Sequence, residues 1–344
     1  MTIIKRILLS LIFKSGIYHF FHFLSRHKIT ILYAHSIIDA DTSTSWKPLR
    51  SQHIAQELAF TLDVLKEKYT FISLSTALKI LQKEHEPISN ALVITLDDGY
   101  LNNLTIGAPI FAHFGISPTI FIATEHSQHN RPFWFDRLDY ALQQMTDENF
   151  HTSIQGETFV FDCQSRKKLQ QSYAAFRRKI KACFKSDVAM REYLNKVCQQ
   201  IEKKTGKALS QIIADDPYAT LANWQQLKSA EKNLGFEIGS HTLNHARLGL
   251  VDNHTVSDEL SKSKIELENK LAIHCDSFCY PDNSYNGYAV ETASRYYKSA
   301  LTTDIGLNAL NCNLMTLKRL NLPTGINPLK ILYAISALRM TLFF

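Results

Sequence analysis

Several common sequence signatures are absent from this chain of 344 residues. Its six cysteines form no C-x-x-C pair, and in a chain of this length they indicate free thiols in a reducing compartment. No uninterrupted apolar run reaches the roughly 18–20 residues that a membrane-spanning helix requires. Internal repeats and low-complexity linkers are also missing. These absences disfavour a disulfide scaffold, a bundle of membrane-spanning helices and a repeat protein.

Long blocks of one charge sign are also missing. The net charge is +6, but Lys and Arg are spread along the chain and interleaved with Asp and Glu, so no nucleic-acid partner is predicted. The densest basic clusters, 166–168 and 177–179, lie in a stretch with a helical pattern and are interpreted as solvated helix faces. A mild positive charge is compatible with an anionic membrane or an acidic glycan as partner.

The N-terminal segment 1–27 predicts an amphipathic helix. It is rich in aliphatic and aromatic residues, is interrupted by Lys14 and is flanked by Lys5, Arg6 and Arg26. Such a helix can lie in the membrane interface, or it can pack on its own domain. No small-residue cleavage site follows, which disfavours a secretory signal. We expect a peripheral membrane contact and a cytoplasmic location, at the inner face of the membrane.

Residues 28–325 alternate strand and helix patterns, which is typical of an α/β domain. About seven strands of this kind predict a distorted (β/α) barrel, in which functional groups gather where the strands end. The stretch of about 131–222 is polar and mainly helical by pattern, and we interpret it as an insertion that covers the site or binds a partner. Residues 326–344 predict a C-terminal helix.

Two adjacent carboxylates, Asp97 and Asp98, follow directly after the apolar strand pattern 91–96. Such a pair is costly at the mouth of a buried strand unless a cation neutralises it. Gly99 allows a sharp turn there. An ordinary Asx-capped turn explains the same residues, and the pattern D-D-G alone is common.

A second candidate, His241 and His245, follows the apolar strand pattern that ends near residue 240. If the chain turns helical here, the two imidazoles share a face and can bind one metal. The pattern H-x-x-x-H alone is weak, because surface or capping histidines also produce it. Together, however, the two strand ends supply one Asp and two His as zinc-type ligands, with a second carboxylate free to act as a base.

The motif T-L-D-D-G-Y at 95–100 and the motif S-H-T-L-N-H at 240–245 resemble those of the polysaccharide deacetylase family, whose domain is called the NodB-homology domain. The segment 277–283 is similar to a third motif of that family. The resemblance covers roughly residues 29–325. It implies a metal-dependent hydrolase that removes N-acetyl or similar acyl groups from an amino sugar in a polysaccharide, an oligosaccharide or a lipid-linked glycan.

Carried over by position, the resemblance implies that Asp97 is the general base and that Asp98, His241 and His245 bind the metal. It implies a divalent ion, zinc in the first place, with cobalt and nickel as alternatives. It also implies that a backbone N–H near Asp282 helps to hold the tetrahedral oxyanion.

The chain departs from the family pattern at several positions. Cys275 stands where the third motif usually has Arg, and Asp282 and Asn283 replace the usual aromatic residue and Gly. The C-terminal motif with its catalytic-acid His is missing. Some family members carry that strand and His first in the chain, and residues 29–35 resemble this arrangement. We therefore expect His35 to be the general acid, although an ordinary strand-end histidine would look the same.

Two further residues are candidates on weaker grounds. Arg319, in the predicted last strand, could replace the missing Arg by orienting Asp97. Trp134 could stack on a sugar face or could be a core residue. The six cysteines, including Cys275 and Cys279, are interpreted as packing residues or free thiols. The alternative function is a carbohydrate-binding protein that kept the fold but lost turnover, which the departures in the third motif favour.

Overall fold

The computed structural model describes residues 3–42, 44–146 and 148–342. Its strands are β1 Thr30–Ala34, β2 Ile37–Ile38, β3 His53–Ile54, β4 Thr70–Phe71, β5 Ala91–Leu96, β6 Thr119–Ile122, β7 Phe150–Ile154, β8 Glu157–Phe161, β9 Glu237–Ser240, β10 Ser277–Cys279, β11 Ser299–Leu301 and β12 Leu320–Asn321. Its α-helices are α1 Ile3–Lys14, α2 Ile17–Leu24, α3 Ala55–Lys66, α4 Leu74–Leu81, α5 Ala108–His113, α6 Thr124–His129, α7 Trp134–Gln143, α8 Arg166–Cys183, α9 Asp187–Thr205, α10 Trp224–Leu234, α11 Asn253–Leu271, α12 Gly287–Tyr296, α13 Pro328–Ala334 and α14 Ala337–Leu342.

The main sheet is parallel throughout, in the order β11-β10-β9-β6-β5-β1-β12, and β4 also pairs with β5. A parallel bridge between Leu301 and Leu317 joins the β11 edge to the segment that leads into β12. Helices surround this curved sheet, so the expected α/β barrel of about seven strands is confirmed. The strands β5 and β6 are buried along their whole length, as their continuous apolar runs indicate.

The register of the sheet brings the strand ends together. Ala34 pairs with Leu96, so His35 and Asp97 follow side by side at the same edge. Ile122 pairs with Ser240, which places His241 at that edge as well. In a parallel sheet the carboxyl ends of all strands lie on one side, and this is why residues distant in sequence converge.

The insertion has a hydrophobic core of its own, formed by α7, the hairpin β7–β8, α8 and α9. Its largest buried side chains include Phe161, Tyr173 and Phe176. The expectation of a mainly helical segment missed the antiparallel hairpin β7–β8. The turn at Gln155 and Gly156, both with positive φ, makes this hairpin possible, but its strands are short and half exposed and therefore lack a long apolar run.

The expected single helices at both termini are each two helices. Gly16, at φ 79°, separates α1 from α2, and α13 ends before α14 begins. Within residues 3–42, 44–146 and 148–342, no single helix is long and apolar enough to cross a membrane. The segments Ile7–Lys14 and Ile17–Leu24, bent by 63°, pass such a test only as a pair, by length and composition.

Candidate metal centre and active site

Asp98, His241 and His245 converge at the carboxyl edge of the sheet and are almost completely buried. Oδ1 of Asp98 lies 3.5 Å from Nε2 of His241 and 3.3 Å from Nε2 of His245. Neither carboxylate oxygen of Asp98 has a hydrogen-bond partner among the described residues. A buried carboxylate without partners is costly, so this arrangement fits a cation held by one oxygen and two nitrogen ligands.

The electrostatics of the trio agree with this fit. Burial opposes ionisation of Asp98, but the two imidazoles and the neighbouring His35 outweigh it and hold its pKa well below the usual range. The carboxylate therefore stays ionised, which metal binding requires. One Asp and two His with Nε2 atoms facing one point form a donor set suited to zinc or a similar divalent ion.

The backbone around Asp98 is forced into unusual conformations. Asp98 has φ 77° and Gly99 has φ 81°, both in the left-handed region. A Cβ at Gly99 would also lie 3.0 Å from Cδ1 of Ile122. Glycine is therefore needed at this turn, and the strained Asp98 conformation is typical of a functional position.

The histidine segment is not helical, contrary to the expectation that a helical turn aligns the two rings. Residues 241–247 form an irregular loop in which Thr242 has φ 66° and His245 has φ 57°. Two left-handed residues fold the loop back sharply, and this fold brings the imidazole centroids within 4.9 Å. The two histidines are therefore close together, as their spacing of four residues predicted, although the backbone between them is an irregular loop and not a helix.

A neighbouring backbone group orients the first histidine. Nδ1 of His241 lies 2.8 Å from the carbonyl oxygen of Cys279, at the end of β10. Since a carbonyl only accepts hydrogen bonds, Nδ1 carries a proton, and Nε2 is the nitrogen that faces Asp98. Metal-ligating histidines usually have such a partner.

Asp97 is held by Arg319, which is completely buried. The two guanidinium NH groups donate to the two carboxylate oxygens of Asp97, each at 2.8 Å. Burial opposes ionisation of Asp97, but the charge and hydrogen bonds of Arg319 lower its pKa below the ordinary value. Asp97 is thus an ionised, oriented carboxylate beside the trio.

Arg319 is fixed in turn by the barrel. It donates through Nε to the carbonyl oxygen of Thr302 at 2.8 Å and through one NH group to Oγ1 of Thr95 at 2.9 Å. The residue directly precedes β12, so it lies beside Asp97 as expected. Cys279 also contacts this pair, since its Sγ lies 2.9 Å from the Arg319 guanidinium and 3.8 Å from Asp97. Interpreting Cys279 as a packing residue missed this contact.

His35 follows β1 and lines the same cavity as the Asp and His residues. Burial lowers its pKa, while the carboxylates of Asp98 and Asp97 act in the opposite direction. A histidine close to two carboxylates and open to the cavity can transfer a proton.

The cavity has a volume of about 260 Å³ and is half open. The barrel and the insertion both line it, with Tyr33, His35, Arg50, Asp97, Asp98, Phe135, Arg177, Lys181, His241, His245, Tyr280, Asp282, Asn283 and Thr303. Six of the predicted site residues are therefore together, and Arg319 lies directly behind Asp97.

Trp134 is the exception among the predicted site residues. It does not line this cavity, and the next residue, Phe135, does. Trp134 starts α7, so successive side chains point in different directions, and its ring lies 6.0 Å from Nζ of Lys181. It lines a separate, larger cavity of about 670 Å³ that contains none of the Asp and His ligands, so we place the chemistry in the smaller cavity.

Asp282 lies at the cavity in a left-handed conformation, with φ 54°. Its carboxylate forms an ion pair with Lys181 of the insertion. Burial opposes ionisation of Asp282, and Lys181 outweighs it, so the pKa lies below the ordinary value. The oxyanion role expected for a backbone N–H near Asp282 stays a prediction, and the side-chain contact with Lys181 was not predicted.

A second unpredicted group is the buried cluster of Arg50, Tyr100 and Asp136. Arg50 donates to Asp136 at 2.6 Å, and the Tyr100 hydroxyl donates to the other carboxylate oxygen at 2.5 Å. The guanidinium of Arg50 also stacks 4.1 Å above the Phe135 ring. In the sequence, the segment F-W-F-D at 133–136 supplies both Phe135 and Asp136.

Comparison with known proteins agrees with this geometry. Residues 84–299 match the model of the polysaccharide deacetylase family. This match extends over more than half of the chain, and the chain belongs to that family. Its class is therefore that of the glycan deacetylases, which are hydrolases.

Solved structures of deacetylases share the fold at low sequence identity. The Streptococcus pyogenes deacetylase PplD, in complex with acetate, is 17% identical with a TM-score of 0.57, covering 90% of this chain and 99% of that one. IcaB from Ammonifex degensii is 12% identical with a TM-score of 0.54, covering 86% and 92%. A de-N-acetylase from Aggregatibacter actinomycetemcomitans is 13% identical with a TM-score of 0.53, covering 89% and 99%. No curated protein matches the sequence.

Proposed function

We propose that this deacetylase is metal-dependent and removes N-acetyl groups from an amino sugar in a polysaccharide, an oligosaccharide or a lipid-linked glycan. The observation that carries the proposal is the buried Asp98 carboxylate, which has no hydrogen-bond partner in the part of the chain that the structure describes and faces His241 and His245. Beside it, Asp97 is ionised and oriented by Arg319. Three ligands and a separate base are what hydrolysis of an acetamide requires.

Asp98, His241 and His245 would hold a divalent ion, zinc in the first place. When bound, such an ion polarises the acetamide carbonyl and increases the acidity of a water molecule. Asp97 accepts the proton of the attacking water, and the bidentate Arg319 keeps the carboxylate in place. His35, on the neighbouring strand end, gives a proton to the leaving amine. The backbone N–H of Asp282 donates to the developing oxyanion.

The alternative is a carbohydrate-binding protein on the same fold without turnover. It is favoured by Asp282 and Asn283, which replace the usual residues of the third motif. The pair of Asp97 and Arg319 argues against it, because a binding protein does not need a buried carboxylate that an arginine orients beside a set of metal-ligating atoms.

The test is acetate release from a panel of N-acetylated oligosaccharides and lipid-linked amino sugars, with protein loaded with zinc or cobalt. We expect release that depends on metal and is abolished in Asp97→Asn, while this variant still binds metal. No release by a folded, metal-loaded protein across the panel would favour the binding protein. Competing ester and peptide substrates separate a deacetylase from an esterase or peptidase.

We also propose a peripheral contact with anionic lipid, made by α1 and α2. Large apolar side chains are exposed along this helix pair: Ile7, Leu8, Leu11, Ile17, Phe20, Phe23 and Leu24. The sequence has no Asp or Glu in residues 1–38 or 305–344, so the terminal helices, of which α14 packs against α2, carry only positive charges. An apolar face bordered by Lys and Arg fits the interface of a negatively charged bilayer.

This contact is tested by sedimentation with phosphatidylcholine vesicles, with and without phosphatidylglycerol. We expect binding only to the anionic vesicles, and its loss in Phe20→Ser/Phe23→Ser. The matched control is Ile265→Ser, whose side chain is 56% exposed compared with 59% for Phe20, but which lies on α11. Equal binding of all three proteins would contradict the proposal. The cytoplasmic location, which the free thiols favour, stays a prediction that cell fractionation can test.

A further inference from the structure

Helix α8 of the insertion places two cations over the candidate active site. Arg177 and Lys181 are four residues apart, so they lie on the same face of the helix. Both line the cavity that also contains Asp98, His241 and His245. The insertion therefore contributes positive charge directly to the site, opposite the ligands supplied by the barrel.

Most charges at the cavity are already paired. Lys181 forms an ion pair with Asp282, and Arg319 forms one with Asp97. Arg50 is bound to Asp136, 2.6 Å away. Asp98 faces the two histidines and is the group that the divalent ion would neutralise. Each of these charged side chains therefore has a partner, which is either another side chain or the proposed ion.

Arg177 is different from these residues. Among the described residues it forms no ion pair and no hydrogen bond, and its Nε is buried without a partner. The guanidinium instead lies between aromatic rings, 5.9 Å from the centroid of Phe135 and 5.8 Å from that of Tyr173. A buried guanidinium nitrogen without an acceptor is unfavourable unless a ligand supplies one.

We infer that Arg177 binds an anionic group of the substrate, so that this enzyme prefers N-acetylated amino sugars that carry a carboxylate or a phosphate close to the acetamido sugar. The inference rests on the proposed function and adds the substrate class. A guanidinium matches a carboxylate or phosphate through two parallel hydrogen bonds, and it keeps its charge at every physiological pH. The Phe135 ring holds it in place by cation–π contact.

The test compares three probes: N,N'-diacetylchitobiose, which is neutral, a disaccharide of glucuronate and N-acetylglucosamine, and N-acetylglucosamine 1-phosphate. The last two separate carboxylate from phosphate recognition. Each is assayed for acetate release with the wild type, Arg177→Gln and Arg178→Gln. Arg178 is the matched control, because it is the adjacent residue on α8 and its side chain is exposed.

We expect the wild type to have a higher kcat/KM for at least one anionic probe than for the neutral one. Arg177→Gln should reduce that preference about 10- to 100-fold, the range for losing one charge-assisted hydrogen-bonding partner. Arg178→Gln should keep it. Acetate release without anion preference, or an equal loss in both variants, overturns the inference and leaves the proposed function intact.

If no probe releases acetate, that result counts against the proposed function alone. The role of Arg177 is then tested by calorimetric binding of the two anionic probes. Weaker binding to Arg177→Gln than to Arg178→Gln supports the inference. Binding that is equal in the two variants, or not detected for the wild type, overturns it. Circular dichroism of both variants verifies that they are folded.

Discussion

The barrel and the insertion both build the site, but in different ways. In the barrel, the functional residues follow directly after buried strands, and the sheet register brings them to one edge. In the insertion, Arg177 and Lys181 project from the C-terminal half of the long helix α8, which packs in the insertion's own hydrophobic core. The barrel thus supplies the candidate catalytic residues, and the insertion adds Phe135, Arg177 and Lys181 to the lining of the cavity.

The two regions are also joined at a buried contact. Asp187, at the start of α9, accepts hydrogen bonds from Arg191 at 2.6 Å and from Arg247 of the barrel at 2.8 Å. Arg191 in turn donates to the carbonyl oxygen of His245. The insertion thus contacts the loop that carries two candidate metal ligands, so the barrel does not position that loop alone.

The largest effect is expected for a metal ligand of the barrel. His241→Ala should remove bound metal and reduce acetate release at least about 10³-fold, because the metal contributes several kcal/mol to transition-state stabilisation. Metal content by mass spectrometry and the rate are measured on the same protein. Full metal occupancy in this variant would contradict the ligand assignment.

The second largest effect is expected for the ion pair between Arg319 and Asp97, the proposed base. Arg319→Met should lower the free energy of unfolding by about 3–5 kcal/mol, because Asp97 is left buried without a partner. Urea unfolding measures this. The control is Arg295→Met, whose exposed pair with Glu291 should contribute less than about 1 kcal/mol. Equal losses in the two variants would show that Arg319 has no special role.

The buried contact between the two regions is expected to have a smaller effect, which is on the affinity for metal. Asp187→Asn should weaken metal binding about 10-fold, because it disturbs the support of the His245 loop. Metal titration monitors this, with Asp258→Asn as the control, since Asp258 pairs with Lys262 at the surface. Unchanged metal affinity in Asp187→Asn would mean that the barrel alone builds the metal site.

The smallest expected effect is a pH dependence at Asp139 of α7. Burial raises the pKa of this carboxyl from 3.8 to about 7, although it accepts hydrogen bonds from Leu49 and Gln143. The folded state therefore keeps a proton that the unfolded chain has already lost. Its contribution to stability is complete below the unfolded pKa and declines as pH rises through about 7.

Between pH 6 and 8 this decline should amount to about 1 kcal/mol in the free energy of unfolding. The measurement is urea unfolding at both pH values for the wild type and Asp139→Asn. The variant has no titrating group at this position, so its stability should change less over this interval. An identical change in both proteins would exclude Asp139 as the source.

Sequence patterns predicted the barrel well. The expected strand at 91–96 agrees with Ala91–Leu96, and the strand pattern expected to end near residue 240 agrees with Glu237–Ser240. They are recognisable because strands buried on both faces need continuous apolar runs. The hairpin β7–β8 lacks such a run, since its strands are half exposed, and it was missed.

The sequence by itself determined the candidate ligands and base of the barrel: Asp97, Asp98 and His241 directly follow buried strands, and the carboxyl ends of parallel strands lie at one edge of a sheet. Only the tertiary structure decided what surrounds them. The irregular loop 241–247 brings His245 back to Asp98, and Arg177 and Lys181 reach the cavity through contacts between segments far apart in the chain. Local patterns cannot indicate such contacts, because a charged residue has the same neighbours in sequence whether it faces solvent or a buried site.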